Sequence, residues 1–123
     1  MSHVSKVQTQ IRDLKCLQEA IKSFGYSYYE GQELVSKYKE VNGTKVDIVM
    51  DMAGNKNLGF NKNSDGTYEF CGDFFGIKEG EQAFVNKFVQ RYSVVKIKAA
   101  LKKRGKSFVE TVNNGTIKLV VNL

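Results

Sequence analysis

The stretch from Asn57 to Ile77, NLGFNKNSDGTYEFCGDFFGI, constrains the fold more than any other part of the chain. Two alternating runs, Leu58–Lys62 and Thr67–Cys71, flank the polar segment Asn63-Ser64-Asp65-Gly66. Gly66 has no Cβ to oppose the positive φ of a chain reversal, and Asn63 and Asp65 can hydrogen-bond their own backbone. The expected product is a β-hairpin that carries Tyr68, Phe70, Phe74 and Phe75 into one region. Each such ring can bury roughly 150–250 Å², so this hairpin is expected to organise the core.

Other elements follow from periodicity. Ser5–Ile11 alternates polar and apolar residues and suits a first strand. Asp13 is placed to cap a helix whose stripe is Leu14, Leu17, Ile21 and Phe24, and Gly25 stands where a left-handed C′ residue would end it. Tyr26–Tyr29 reads as a short aromatic strand. Leu34–Val41 and Thr44–Met52 read as a hairpin about Asn42-Gly43, with Val46, Ile48 and Met50 sharing one face. Phe84, Phe88 and Tyr92 begin a second helical stripe, which Val94, Ile97 and Leu101 continue either on the same helix or on a third, with Ser93 able to cap a new start. Ser107–Val112 and Thr116–Val121 close the chain with another hairpin.

Ala20–Glu30 matches Ala100–Glu110 at an offset of 80, with five of eleven residues identical. In each copy a helix ends at glycine, reverses, and feeds a strand that leads to an Asn-Gly-Thr turn. With short connections throughout, the expected fold is α+β, a single antiparallel β-sheet with two or three helices packed on one face, and the repeated helix–Gly–hairpin unit is consistent with duplication. At 123 residues the chain is expected to form one domain, 1–123, without disulfide or metal. No secretory signal is recognisable in polar Met1–Gln10 and no apolar run approaches a membrane span, so a soluble, cytoplasmic protein is expected. Cys16 and Cys71 are accordingly read as buried free thiols.

Several of these residues also carry a resemblance. Met1–Ser5, the Thr-x-Ile-x-Asp-Leu of Thr9–Leu14, Leu58-Gly59-Phe60, Asp65–Glu69, Asp73–Gly76, Gln90-Arg91-Tyr92 and Asn114–Val121 occur together in that order. The chain resembles domain-of-unknown-function family 1257, which includes the hypothetical chloroplast reading frame 35 proteins of plastids and cyanobacteria. Phe75 stands where the plastid-type pattern has tryptophan, and Val94-Val95 replaces a more polar pair, departures that suggest a distant branch. The resemblance implies no activity or cofactor that transfers residue by residue.

Chemistry-bearing groups are sparse. His3 is the single histidine, which leaves no two-histidine metal site, and no metal or cofactor is expected. Neither a phosphate-binding glycine loop, a dinucleotide fingerprint nor a Gly-x-Ser-x-Gly elbow occurs. Asp65, Glu69 and Asp73 recur every four residues and could act as paired acids or gather a divalent cation. A turn residue, a strand charge and a cap account for them equally well. Asp73, beside Phe74-Phe75, is the weak catalytic candidate, because an aromatic pocket would raise its pKa.

Charge is more informative. Of a net +6, eight basic residues and no acidic one fall between Gln82 and Val109. Cations near a helix C-terminus meet its dipole favourably, but a helix stabilised only locally would also carry i,i+4 Glu–Lys pairs. The expectation is therefore a small basic, non-enzymatic interaction protein. Its partner-binding face is Lys96, Lys98, Lys102, Lys103, Arg104 and Lys106, and its macromolecular partner is a protein or, alternatively, RNA or DNA. For nucleic acid, Tyr26, Tyr28 and Tyr29 could stack bases if exposed. An enzyme built on Asp65, Glu69 and Asp73 is the remaining alternative.

Overall fold

A computed structural model describes residues 4–34, 43–52 and 56–122. Among them are seven strands and two helices: β1 (Ser5–Gln8), α1 (Leu14–Ser23), β2 (Ser27–Glu30), β3 (Ile48–Met52), β4 (Lys56–Lys62), β5 (Tyr68–Gly72), α2 (Glu81–Lys103), β6 (Ser107–Asn113) and β7 (Thr116–Asn122). Strands β1 to β5 form an antiparallel sheet in the order β1-β5-β4-β3-β2, and β6 and β7 form a separate two-stranded sheet. The fold is α+β. The C-terminal hairpin does not join the larger sheet, because its half-buried face lies on α2 rather than beside an edge strand.

The central hairpin forms in register, Phe60 opposite Phe70 and Lys62 opposite Tyr68. Asp65 Oδ1 accepts from the Thr67 amide and hydroxyl at 3.0 and 2.6 Å, so its charge stabilises the turn and its carboxyl is held below the usual range. Phe70 is the hub of the core: its ring meets Phe60 at 4.5 Å, Phe88 at 5.3 Å, Phe74 at 6.0 Å and Phe84 at 6.3 Å. Tyr68, Phe70 and Phe74 are buried as the sequence predicts, but Phe75 is 53% exposed.

Both helices pack on the sheet face that presents Met50, Leu58, Phe60 and Phe70. Asp13 caps α1 through the Cys16 amide at 3.0 Å. The Tyr92 hydroxyl accepts from the amides of Arg12 and Asp13, fixing the start of α1 against α2. No break occurs at Ser93: α2 runs unbroken for 23 residues.

The opposite sheet face carries a second small core of Leu34, Val46, Val49 and Cys71. Val46 does not share a face with Ile48 and Met50, as alternation predicts. The chain bends at Asp47, whose amide donates to Phe60 O and whose carboxylate accepts from the Lys62 amide, and Val46 crosses to the far side. There it lies over Gly59, where an added Cβ would fall 2.4 Å from Val46 Cγ1. Gly59 is a packing requirement. Strand β3 consequently starts at Ile48, later than the predicted Thr44. The predicted strand Leu34–Val41 and the turn residue Asn42 lie almost wholly outside the described residues, although Leu34 N donates to Thr44 O at 2.8 Å.

Candidate functional site

The cationic surface is built on the second half of α2 and on the hairpin that follows. Leu101, Lys102 and Lys103 end the helix; the Gly105 amide donates to Lys102 O at 3.1 Å and the Lys106 amide to Leu101 O at 2.9 Å. Gly105 adopts φ +70°, the left-handed value this reversal needs. Strand β6 then returns along α2, and β7 pairs with it over seven residues, Phe108 opposite Val121 and Glu110 opposite Leu119.

Between Gln82 and the end of the chain, Glu110 is the single acidic residue. Its carboxylate meets Lys98 Nζ at 2.5 Å and Arg91 Nη1 at 3.2 Å, all three side chains being 24–31% exposed. Hydrogen bonding and charge from Lys98, reinforced by Arg91, hold the Glu110 carboxyl below the usual glutamate range. The Lys98 ammonium also lies 5.6 Å from the Phe108 ring centroid. Lys98 is therefore a strut between helix and hairpin rather than a free member of the basic face.

Lys96, Lys102, Lys103, Arg104 and Lys106 are exposed, and none forms an ion pair with a described residue. Nearer the start of α2, Lys87 pairs with Glu79. The outer face of the hairpin adds Lys118 and an open hollow lined by Thr111, Asn113, Asn114, Thr116 and Lys118. Val109 and Val120, paired across the strands, are 56% and 48% exposed.

The carboxylates considered for catalysis have separate local tasks. Asp65 closes the central turn. Glu69 accepts from Gln8 across the β1–β5 pair. Asp73 Oδ1 accepts from the Phe75 amide at 2.9 Å, and its buried Oδ2 has no hydrogen-bond partner among the described residues. Phe74 turns into the core against Phe70 and Phe84 while Phe75 is exposed, so the two rings do not enclose Asp73 together. No three of His, Cys, Asp and Glu gather as a metal ion would require among the described residues.

Cys16 and Cys71 are free and buried in cores on opposite sheet faces. Burial pushes both thiols up, with Asp13 adding to the effect at Cys16 despite its place in the first turn of α1. Of the three tyrosines considered for stacking, Tyr29 is 45% exposed, and Tyr26 and Tyr28 are half-buried against the core. His3 lies outside the described residues. No helix among the described residues is long and apolar enough to cross a membrane.

Comparison with known proteins places the chain in a family. The family described as "Protein of unknown function (DUF1257)" matches residues 20–120. The chain belongs to this family. It is similar to the "Uncharacterized protein ycf35" of Pyropia yezoensis, 30% identical over 125 residues that cover 98% of this chain and 96% of that protein. It is also similar to the protein of the same description from Guillardia theta, 32% identical with the same coverage. No solved structure matches.

The matched span begins in α1, at the first residue of the internal repeat, and ends in the last strand. Reading by charge alone missed the clamp of Arg91 and Lys98 on Glu110. Its signal was present: a single carboxylate in a long cationic stretch is the residue that the neighbouring cations will compete for.

Proposed function

We propose that this protein is a non-enzymatic binding module that engages an anionic macromolecular partner through the second half of α2 and the hairpin β6–β7. The observation that carries this reading is the position of Glu110. The single acidic side chain of the region is neutralised by Arg91 and Lys98. Lys96, Lys102, Lys103, Arg104 and Lys106 are thus left on a surface with no carboxylate of its own segment to compensate them. An anionic partner supplies that compensation and raises the rate of encounter.

The test is affinity for heparin, a generic polyanion, at about 50 and 300 mM salt. Binding is expected to fall steeply over that range and to be abolished by the triple substitution Lys102→Glu, Lys103→Glu, Arg104→Glu. Retention of the triple variant at low salt would sink the reading. Nucleic acid is a second candidate for the partner, supported by exposed Lys118 on the outer face of the hairpin, which adds to the cations of α2. It predicts that duplex DNA or RNA outcompetes an acidic polypeptide of equal charge.

A further inference from the structure

The two helix–glycine–strand units share their helix-ending hydrogen bonds at an offset of 80. Tyr26 N donates to Ile21 O as Lys106 N donates to Leu101 O, and Gly25 N donates to Lys22 O as Gly105 N donates to Lys102 O. Gln18 reaches Glu30 as Lys98 reaches Glu110. Tyr28 and Phe108, in equivalent places, each lie beneath a lysine ammonium, although Lys22 and Lys98 come from different positions of the unit.

The helices of the two units differ in what covers them. On α1, Leu17, Ala20 and Ile21 are each 0% exposed. Their counterparts on α2 are Ile97, Ala100 and Leu101. Ile97 is 49% exposed, Ala100 is exposed and Leu101 is half-buried. Each helix is held on one side by its own strand, but α1 also lies in the core of the five-stranded sheet and has a helical neighbour. The first half of α2 runs antiparallel across it, with Phe88 stacked on Phe24 at 5.5 Å and the Tyr92 hydroxyl at the amides of Arg12 and Asp13. The second half of α2 has no helix in the equivalent place among the described residues.

We propose that the stripe Ser93, Ile97, Ala100 and Arg104 seats an amphipathic helix of a partner protein, in the place that the first half of α2 takes on α1, and that this helix flanks its apolar ridge with carboxylates. The proposal rests on the anionic-partner reading above and names its chemistry. Helical spacing of four, three and four puts these side chains in one row, and the small Ala100 lets a second helix axis approach closely. Lys96 and Lys103 border the row on one side, and Arg104 closes its end. A second copy of this chain would bring those cations onto one another, which disfavours self-association. Nucleic acid would answer the charge, but its phosphates offer nothing apolar to cover Ile97.

The experiment titrates the full chain with a fluorescent helical peptide that carries Leu at i, i+3, i+4 and i+7 and Glu elsewhere. A scrambled peptide of the same composition, which has the charge but no apolar ridge, serves as the comparison. The ordered peptide is expected to bind about tenfold more tightly than the scrambled one. Ile97→Asp, at a site already open to water, is expected to keep the melting temperature and remove that difference. Equal affinities for the two peptides would overturn the helix seat while leaving the anionic-partner reading standing. Self-association that Ile97→Asp abolishes would overturn it in favour of a second copy, and duplex DNA displacing the ordered peptide would overturn it in favour of nucleic acid. If neither peptide nor heparin binds, both readings fall.

Discussion

The protein ends two helices by the same hydrogen bonds and then treats the two strands that follow differently. After α1, strand β2 pairs with β3 and so becomes the edge of a five-stranded sheet, Tyr28 opposite Met50. After α2, strand β6 pairs with β7 alone and lies on the helix that precedes it. The tether between helix and strand changes with this difference. Where the strand belongs to a larger sheet, the tether is a neutral amide, Gln18 to Glu30 at 3.2 Å. Where the hairpin lacks that support, the equivalent glutamate is gripped by Lys98 and Arg91. An isolated two-stranded hairpin is marginal in water, so the second unit depends on charge for what the first obtains from strand pairing and burial.

The largest expected effect contrasts the two cores. Phe70→Ala removes the ring at the centre of the first and is expected to cost about 3–5 kcal/mol. Leu119→Ala, on the half-buried face of the hairpin, is expected to cost about 1 kcal/mol, in proportion to the apolar area it hides. Urea titration of both variants measures the ratio. Comparable losses would mean that the hairpin is as deeply integrated as the sheet.

Next is the far face of the five-stranded sheet. Gly59→Ala places a methyl group against Val46 and is expected to destabilise by about 1–3 kcal/mol. The double variant Gly59→Ala, Val46→Ala should recover part of that loss, and a cycle with no coupling between the two positions would refute the close approach.

A smaller effect is expected at the ionic tether. Glu110→Gln should cost about 1 kcal/mol, as partly exposed ion pairs do, and should accelerate amide exchange in β6 and β7 while leaving β4 and β5 unchanged. The pH dependence has a definite sign. Because the folded Glu110 carboxyl is held below its unfolded value, the tether contributes fully above the ordinary glutamate range and is lost as pH falls through the lowered folded value. Amide protection factors in the hairpin, which remove the intrinsic pH dependence of exchange, should fall over that interval in the native chain and stay flat in Glu110→Gln.

The smallest effect sharpens the comparison from the other side. Gln18→Lys recreates on α1 the ion pair of α2, and should stabilise the chain by about 0.5 kcal/mol or less, because Glu30 is exposed and solvent screens the pair. Salt titration of the variant against the native chain would register the gain, and a large gain would show that β2 is more loosely held than its pairing implies.

How much of this was legible in the sequence depends on the range of the interaction. The central hairpin, α1, the apolar stripe that opens α2, the left-handed glycines that end the helices and the α+β class followed from neighbours a few residues apart: Asp65 with Gly66, Asp13 with Cys16, the stripe of Leu17 and Ile21; the continuity of α2 through Ser93 did not. The repeat announced that two segments share a local structure, and their hydrogen bonds agree. Alternation misled at Val46, because the bend at Asp47 is held by Phe60 and Lys62 from another strand. Exposure misled at Phe75, which lies in the turn beyond β5, just after Phe74 enters the core.

At the candidate site, charge can be counted from the residues alone: eight cations without an acid between Gln82 and Val109. Tertiary structure alone decided which of them are spent inside the molecule. Lys98 and Arg91 are taken by Glu110, and Lys87 by Glu79. It also decided that Leu17 is covered and Ile97 is not, although the two occupy the same place in the same motif. Periodicity and capping act within one turn or one hairpin, whereas burial requires a second element to arrive from elsewhere in the chain; α1 and the first half of α2 receive it, and the stripe of Ile97 and Ala100 does not.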